Sequence, residues 1–460
     1  MTTTTDFAEV ATRLSASRPE GQRLRHIASE AFGPGMTIER FKLDNGLTIL
    51  VERDASAPVV SLMTWVKVGS RFEKQGKTGL SHLFEHLMFG ETEMTPHGAF
   101  DRQIEEAGGE TNAATFLDWT YYVQNLPVSA LGLGMRLEAE RMARLVLREP
   151  QVASEKDVVM NERRQRVDDD VDGAVSEALY REAFKVHAYG IPTIGWMEDI
   201  EGFTPDDCTA FYKTYYAPNN ATLVLSGDID PEKDLGTLLD TFGVLAPSEI
   251  PVEDMHPEPP QVEERVLVVE KPTSVHRVAI GYKSPAFGDF EHAAMVVLAE
   301  ILFGGRSGRL HKKLVRDKEI ATEVRGWVGT FRDPSLFDIS LTAREGTTAE
   351  ELLGLFDVEL DKVLEAPVTD DELERAKARL ELGTVQSLET APGRAESIGF
   401  YETVLGDPGA IFGKLEAYRR VTQGDVLRAA RTFLVKTART VVLVHPNGEP
   451  DEELDEEDSE

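Results

Sequence analysis

Alternating apolar and polar positions first become regular at Ile38. Glu39-Arg40-Phe41-Lys42-Leu43 alternates, Asn45-Gly46 is a strong hairpin-turn pair, and Leu47–Val51 resumes the alternation. A second apolar run, Val59–Val68, predicts another strand, and Gly69 separates it from a helix starting near Gly79. Further helical periodicity and a strand at Ala221–Ser226 carry this half to Leu245. Residues 246–264, rich in proline and acids and without a period, have the signature of a linker. The order then returns: strands at Arg265–Glu270 and Arg277–Tyr282, a helix at Ala293–Phe303, later strands and helices, and a last strand at Thr440–Val444. Strand, strand, helix in each half predicts an internal duplication.

The expected fold class is therefore α+β: two similar domains, each a mostly antiparallel β-sheet with helices packed on it, at 37–245 and 265–446. Residues 1–36 form an N-terminal extension in this reading. Residues 447–460 form an acidic tail too charged and too poor in apolar groups to pack, and it is expected to be disordered.

The 460 residues and 41% hydrophobic content suffice for more than one core. Lys and Arg total 49 against 81 Asp and Glu, a net charge of −32, which repels nucleic acid and anionic lipid in the absence of a basic patch. Cys208 is the single cysteine, so no intrachain disulfide and no CxxC site exists, which points to a reducing compartment. Met1–Pro34 mixes acids with its arginines and lacks an apolar core, a poor match to a targeting segment. The longest apolar run, Ala293–Phe303, is too short to span a bilayer. The expectation is a soluble cytoplasmic protein.

Chemistry concentrates in Gly79-Leu80-Ser81-His82-Leu83-Phe84-Glu85-His86-Leu87-Met88-Phe89. On a helix His82 and His86 lie one turn apart on one face, where both imidazoles can converge on a metal, with Glu85 beside them. The apolar residues around them predict a buried helix, in which unpaired imidazoles and a carboxylate are costly and a divalent cation relieves the cost. From the composition, a His-x-x-acid-His pattern arises by chance only about 0.04 times per chain. Catalytic zinc uses three protein ligands, so a third is needed. The helix around Val152–Arg166 places Val152, Glu155, Val159 and Glu162 on one stripe, with Arg166 one turn beyond Glu162 as an alternative cation for these carboxylates. Two His and one carboxylate also accept Mn²⁺ or Co²⁺.

The order His-x-x-Glu-His is the inverted zincin signature. Together with LDNGLTILVE, AGGETNAATFLDWTYYVQNLP, EKDVVMNERRQR, HAYGIPTIGW and YYAPNNATLVLSGDID, it makes the chain resemble the superfamily of pitrilysin, insulin-degrading enzyme and mitochondrial processing peptidase over nearly all of residues 38–446. The resemblance implies a zinc-dependent endopeptidase with one Zn²⁺ held by His82, His86 and Glu162, Glu85 as the general base for the attacking water, and Glu155 supporting the site without ligating. It also implies that Asn112 and Ala113 lie on an edge strand against which a substrate peptide pairs in extended form. His187, in HAYG, matches a family position for which a structural role is at least as good a reading.

The second half departs from the pattern. Active relatives carry an arginine and a tyrosine in a stretch whose ungapped counterparts here are Val315 and Thr322, with Arg316 one place off. The helix at Ala293–Phe303 also has no His-x-x-Glu-His. The resemblance then implies a partner: a homologous zinc-free subunit supplying the arginine and tyrosine, with a homodimer as the simpler alternative. The other reading within the superfamily is a non-catalytic scaffold or core subunit. Gly76-Lys77-Thr78 is no phosphate-binding loop, since Arg71 occupies the required first glycine, and no Gly-x-Ser-x-Gly elbow occurs.

Overall fold

The computed structural model describes residues 6–253 and 255–448. The expected disordered tail lies almost wholly outside them. No helix of the described residues is long and apolar enough to cross a membrane.

The chain folds as two compact units, each α+β. The first comprises Met1–Asn161, Ile191–Met255 and Leu382–Leu415; the second comprises Glu162–Gly190, His256–Glu381 and Glu416–Glu460. The first is built on a seven-stranded sheet of β1 (Leu24–Ala31), β2 (Thr37–Leu43), β3 (Thr48–Arg53), β4 (Val59–Val66), β5 (Glu110–Thr115), β6 (Thr120–Pro127) and β7 (Ala221–Gly227), in the order β1-β2-β3-β7-β4-β6-β5. Only β3 and β7 run parallel. The second carries β8 (Arg265–Lys271), β9 (Arg277–Lys283), β10 (Ala321–Val328), β11 (Leu336–Ala343) and β12 (Arg439–Pro446), in the order β10-β11-β9-β12-β8 with β8 and β12 parallel. Reversed, that order is β8-β12-β9-β11-β10, and strand for strand it repeats β3-β7-β4-β6-β5. The duplication expected from the sequence is thus present in the topology, with β1 and β2 added to the first copy.

Two differences from the contiguous division stand out. Helix Val171–Ala183, from the first half of the sequence, belongs to the second unit, and helix Ala391–Leu405, from the second half, belongs to the first. Side chains dictate the exchange. Arg394, 8% exposed, donates to Glu52 at 3.0 Å and to Asp54 at 2.8 Å, while Glu402 receives both terminal nitrogens of Arg40 at 2.8 and 2.9 Å. Gly399 lies flat on the Trp65 indole, so close that a Cβ would stand 1.9 Å from Nε1. In the second unit Arg277 pairs with Asp172, and Lys283 Nζ donates to the Ala183 carbonyl at 2.6 Å. Helical periodicity gives each helix a buried face without saying which sheet receives it.

The extension at 1–36 is also more than an appendage. Helix Phe7–Ser15, capped by Asp6, packs on β1, which pairs antiparallel with β2. Burial alternates strictly along β1, but the residue types do not follow it: Ile27 faces outward, 53% exposed, while the polar His26 and Glu30 take the half-buried positions, so no apolar alternation marks the strand. The described residues among 246–264 contain neither helix nor strand, and the units part between Met255 and His256.

Candidate metal centre

The motif helix spans Leu80–Leu87. Its first turn is held from outside: the Glu73 carboxylate accepts the amides of Gly79 at 2.6 Å and Ser81 at 2.7 Å, the arrangement a helix N-terminus favours. Gly79 sits at φ +95°, and a Cβ there would meet the Ile194 carbonyl at 2.4 Å, so the helix starts where only glycine fits. Leu83, Phe84 and Leu87 are buried, whereas Glu85 and His86 stay partly accessible. Phe84 stacks on Phe211 and Tyr212, and its carbonyl accepts the Tyr122 hydroxyl at 3.1 Å. Tyr122 also bonds Tyr216 at 2.9 Å, and burial pushes both phenols up, so they stay protonated. The buried Arg141 guanidinium lies over the Tyr122, Phe100 and Phe89 rings and is neutralised by Glu138. The helix therefore rests on a rigid aromatic floor, which fixes the direction of its polar face.

The third donor comes from helix Glu149–Arg163, whose body lies in the first unit and whose last turn carries Glu162. Val152 and Val159 are buried on the stripe that also carries Glu155 and Glu162. Lys156 anchors the helix by donating to the carbonyls of Glu201 and Phe203. His82 and His86, ring centroids 5.0 Å apart, present their nitrogens with a Glu162 oxygen so that the three donor atoms lie within 4.8 Å of one another. Tetrahedral zinc with bonds near 2.1 Å spaces its ligands about 3.4 Å apart. The donor set and its spacing fit such an ion after small side-chain rotations. Glu155 stands 3.9 Å from His86 Nδ1, beyond hydrogen-bond reach and outside the group of three converging donors. Arg166 does reach Glu162, at 3.2 Å, but is itself 74% exposed and contacts the carboxylate from solvent.

Asn112 and Ala113 lie on β5, one of the two edge strands of the seven-stranded sheet. The Ala113 amide is bonded by the Asn112 side chain at 2.9 Å, a bond that an added peptide strand can replace. His187 is buried: Nδ1 accepts the Tyr189 amide at 3.1 Å, which leaves Nε2 to donate to Asp333 at 3.1 Å. With both nitrogens engaged it holds the HAYG turn, a structural role. Arg316 points to solvent and pairs with Asp317, and the Thr322 hydroxyl bonds the Thr342 carbonyl. In the second copy, helix Phe290–Phe303 carries a single histidine, His292, which is buried and donates to the Gly329 carbonyl at 3.0 Å. Sequence reasoning missed Glu73; its only signal is an acid just ahead of the helix-starting glycine.

Comparison with known proteins decides the family. Residues 48–196 match Insulinase (Peptidase family M16) and residues 202–380 match Peptidase M16 inactive domain. The zinc protease PqqE of Helicobacter pylori is 30% identical over 414 residues, covering 89% of this chain and 93% of that protein. This chain belongs to peptidase family M16. A solved protease from Helicobacter pylori superposes with a TM-score of 0.85 at 29% identity, covering 89% of this chain and 99% of that one. The mitochondrial-processing peptidase subunit beta of Blastocladiella emersonii is 24% identical over 449 residues, 95% of each chain. At family level M16 membership means a zinc metallopeptidase, and the match of 202–380 to an inactive domain accords with a second copy whose corresponding helix has only a structural histidine.

Proposed function

We propose that this M16 chain is a zinc-dependent endopeptidase acting on unstructured peptides, and the catalytic subunit of a heteromeric enzyme. The observation that carries the reading is the convergence of His82, His86 and Glu162 within 4.8 Å, with Glu85 on the same helix face. When bound, Zn²⁺ supplies Lewis-acid polarisation of a carbonyl and acidifies water. Glu85 takes the proton from the attacking water and returns it to the leaving amine. Asn112 and Ala113 align the substrate as an added strand on β5, and Glu155 supports the site without ligating. The partner is a homologous zinc-free subunit that provides the arginine and tyrosine for which Val315 and Thr322 are substitutes here; a homodimer using Arg316 is the competing arrangement. The lone cysteine favours the cytoplasm.

A second reading, a non-catalytic core subunit, draws support from Val315 and Thr322. The two separate on peptide cleavage by the chain with its co-purifying protein. The endopeptidase reading expects hydrolysis of an unstructured peptide pool that disappears in Glu85→Gln, by about 10²-fold or more. Equal hydrolysis by the variant overturns it, and full activity of the chain alone overturns the heteromeric part.

A further inference from the structure

One end of the second sheet gathers two histidines and two carboxylates that the chemistry at His82 and His86 does not use. β9 and β12 pair antiparallel with Val444 opposite Arg277, so one step further His445 stands opposite His276. β12 and β8 pair parallel with His445 beside Glu270. His276, His445 and Glu270 therefore form a row across three neighbouring strands, with successive members about 5 Å apart. Glu350, in the first turn of helix Ala349–Glu365, reaches the same spot, where His445 Nε2 donates to its carboxylate at 2.8 Å. All four residues belong to the second unit. The two imidazoles are spaced as a metal-bridged pair is: their ring centroids lie 5.1 Å apart, against 5.0 Å for His82 and His86. His276 Nδ1 is buried and has no hydrogen-bond partner among the described residues, a cost that a bound cation removes. Glu270 is exposed and has no ion-pair partner among the described residues, and the Glu350 side chain is 55% exposed, so both carboxylates can turn without disturbing the packing.

We infer that His276, His445 and Glu350, with Glu270 beside them, form a second and exchangeable site for a divalent transition cation. Two imidazoles and a carboxylate suit Zn²⁺, Co²⁺, Ni²⁺ or Cu²⁺, whereas Ca²⁺ and Mg²⁺ favour shells of oxygen alone. Among the described residues only His82, His86 and Glu162 already hold three donors within 4.8 Å of one another. The group on the second sheet closes on its ion by rotation of exposed side chains, so it is the weaker of the two sites and the one that a weak chelator strips first. Its ion joins β9 and β12 to the first turn of helix Ala349–Glu365, and because it binds the folded unit alone it stabilises that unit. The inference is independent of the peptidase reading, since none of these residues belongs to the first site.

The test titrates the untagged full chain carrying His82→Gln and Glu162→Gln, which disable the first site, with Ni²⁺ and with Zn²⁺ by isothermal calorimetry. About one ion of each per chain is expected to bind. Adding His445→Gln is expected to weaken the dissociation constant at least about tenfold, and adding Glu350→Gln at least about threefold. His97→Gln, at an exposed histidine of the first unit, is expected to leave it unchanged. Circular dichroism checks each fold, and should His445→Gln fail to fold, the exposed Glu350→Gln carries the decision. Absence of binding to the doubly substituted chain, binding that survives both His445→Gln and Glu350→Gln, or an equal loss in His97→Gln overturns the inference.

Discussion

Replacing Arg394 by methionine tests whether the segment from the second half of the sequence is integral to the first unit. The substitution keeps most of the side-chain volume and removes a cation that is 8% exposed, leaving the Glu52 carboxylate, 2% exposed, with the Ser226 hydroxyl at 2.7 Å. At about 3 Å and an effective dielectric near 20, the lost attraction is roughly 5 kcal/mol. Asp54, a third exposed, adds little after screening, and the relief of Arg394 desolvation offsets part of the loss. A net cost of about 3–5 kcal/mol remains, a large share of the ~5–15 kcal/mol by which proteins are stable. Urea unfolding followed by tryptophan fluorescence reads it: Trp65, Trp119 and Trp196 lie in the first unit and only Trp327 in the second. The double variant Glu52→Gln/Arg394→Met is expected to recover most of the loss, because no uncompensated charge stays buried. A cost under about 1 kcal/mol, or a double variant no better than the single, would refute the argument that this ion pair seats the helix.

Two further expectations concern single contacts. Gly399→Ala places a Cβ where the Trp65 indole already stands, 1.9 Å from Nε1, and should cost about 2–3 kcal/mol or more through displacement of helix or ring; an unchanged urea midpoint counts against that packing. On β11, burial pushes the Asp338 carboxyl up to about 6. The folded chain therefore holds a proton that the unfolded chain has lost between about pH 4 and 6, so this group's contribution falls as pH rises through that window and stays unfavourable above it. Asp338→Asn should stabilise the protein at pH 7.5 by up to about 3 kcal/mol and by nothing near pH 3.5, measured as urea midpoints at both; equal effects at the two pH values contradict the assignment.

Much of this arrangement can be read in the chain itself. The Asn45-Gly46 turn fixes the β2/β3 hairpin, and His82, Glu85 and His86 fall at helical spacing within apolar residues that do bury the helix. The stripe Val152, Glu155, Val159 and Glu162 also emerges as drawn, since period alone determines it. What escapes local pattern is what depends on distant partners. Nothing in the sequence around Arg394 says that its carboxylates are Glu52 and Asp54, and so the exchange of helices between the units stays hidden. β1 escapes because its half-buried positions include the polar His26 and Glu30 while the apolar Ile27 faces outward, and Glu73 because a side chain that caps a helix from outside its first turn leaves only an isolated acid in the sequence.

The central claim is that His82, His86 and Glu162 form one metal site with Glu85 acting beside it. Elemental analysis of the purified chain, Glu162→Gln and Glu85→Gln, each dialysed against the same weak chelator, tests it most directly. The account predicts about one zinc per chain in the wild type and in Glu85→Gln, and its loss in Glu162→Gln with the fold intact by circular dichroism. A wild-type chain without zinc, or a Glu162→Gln chain that keeps it as firmly, would contradict the site.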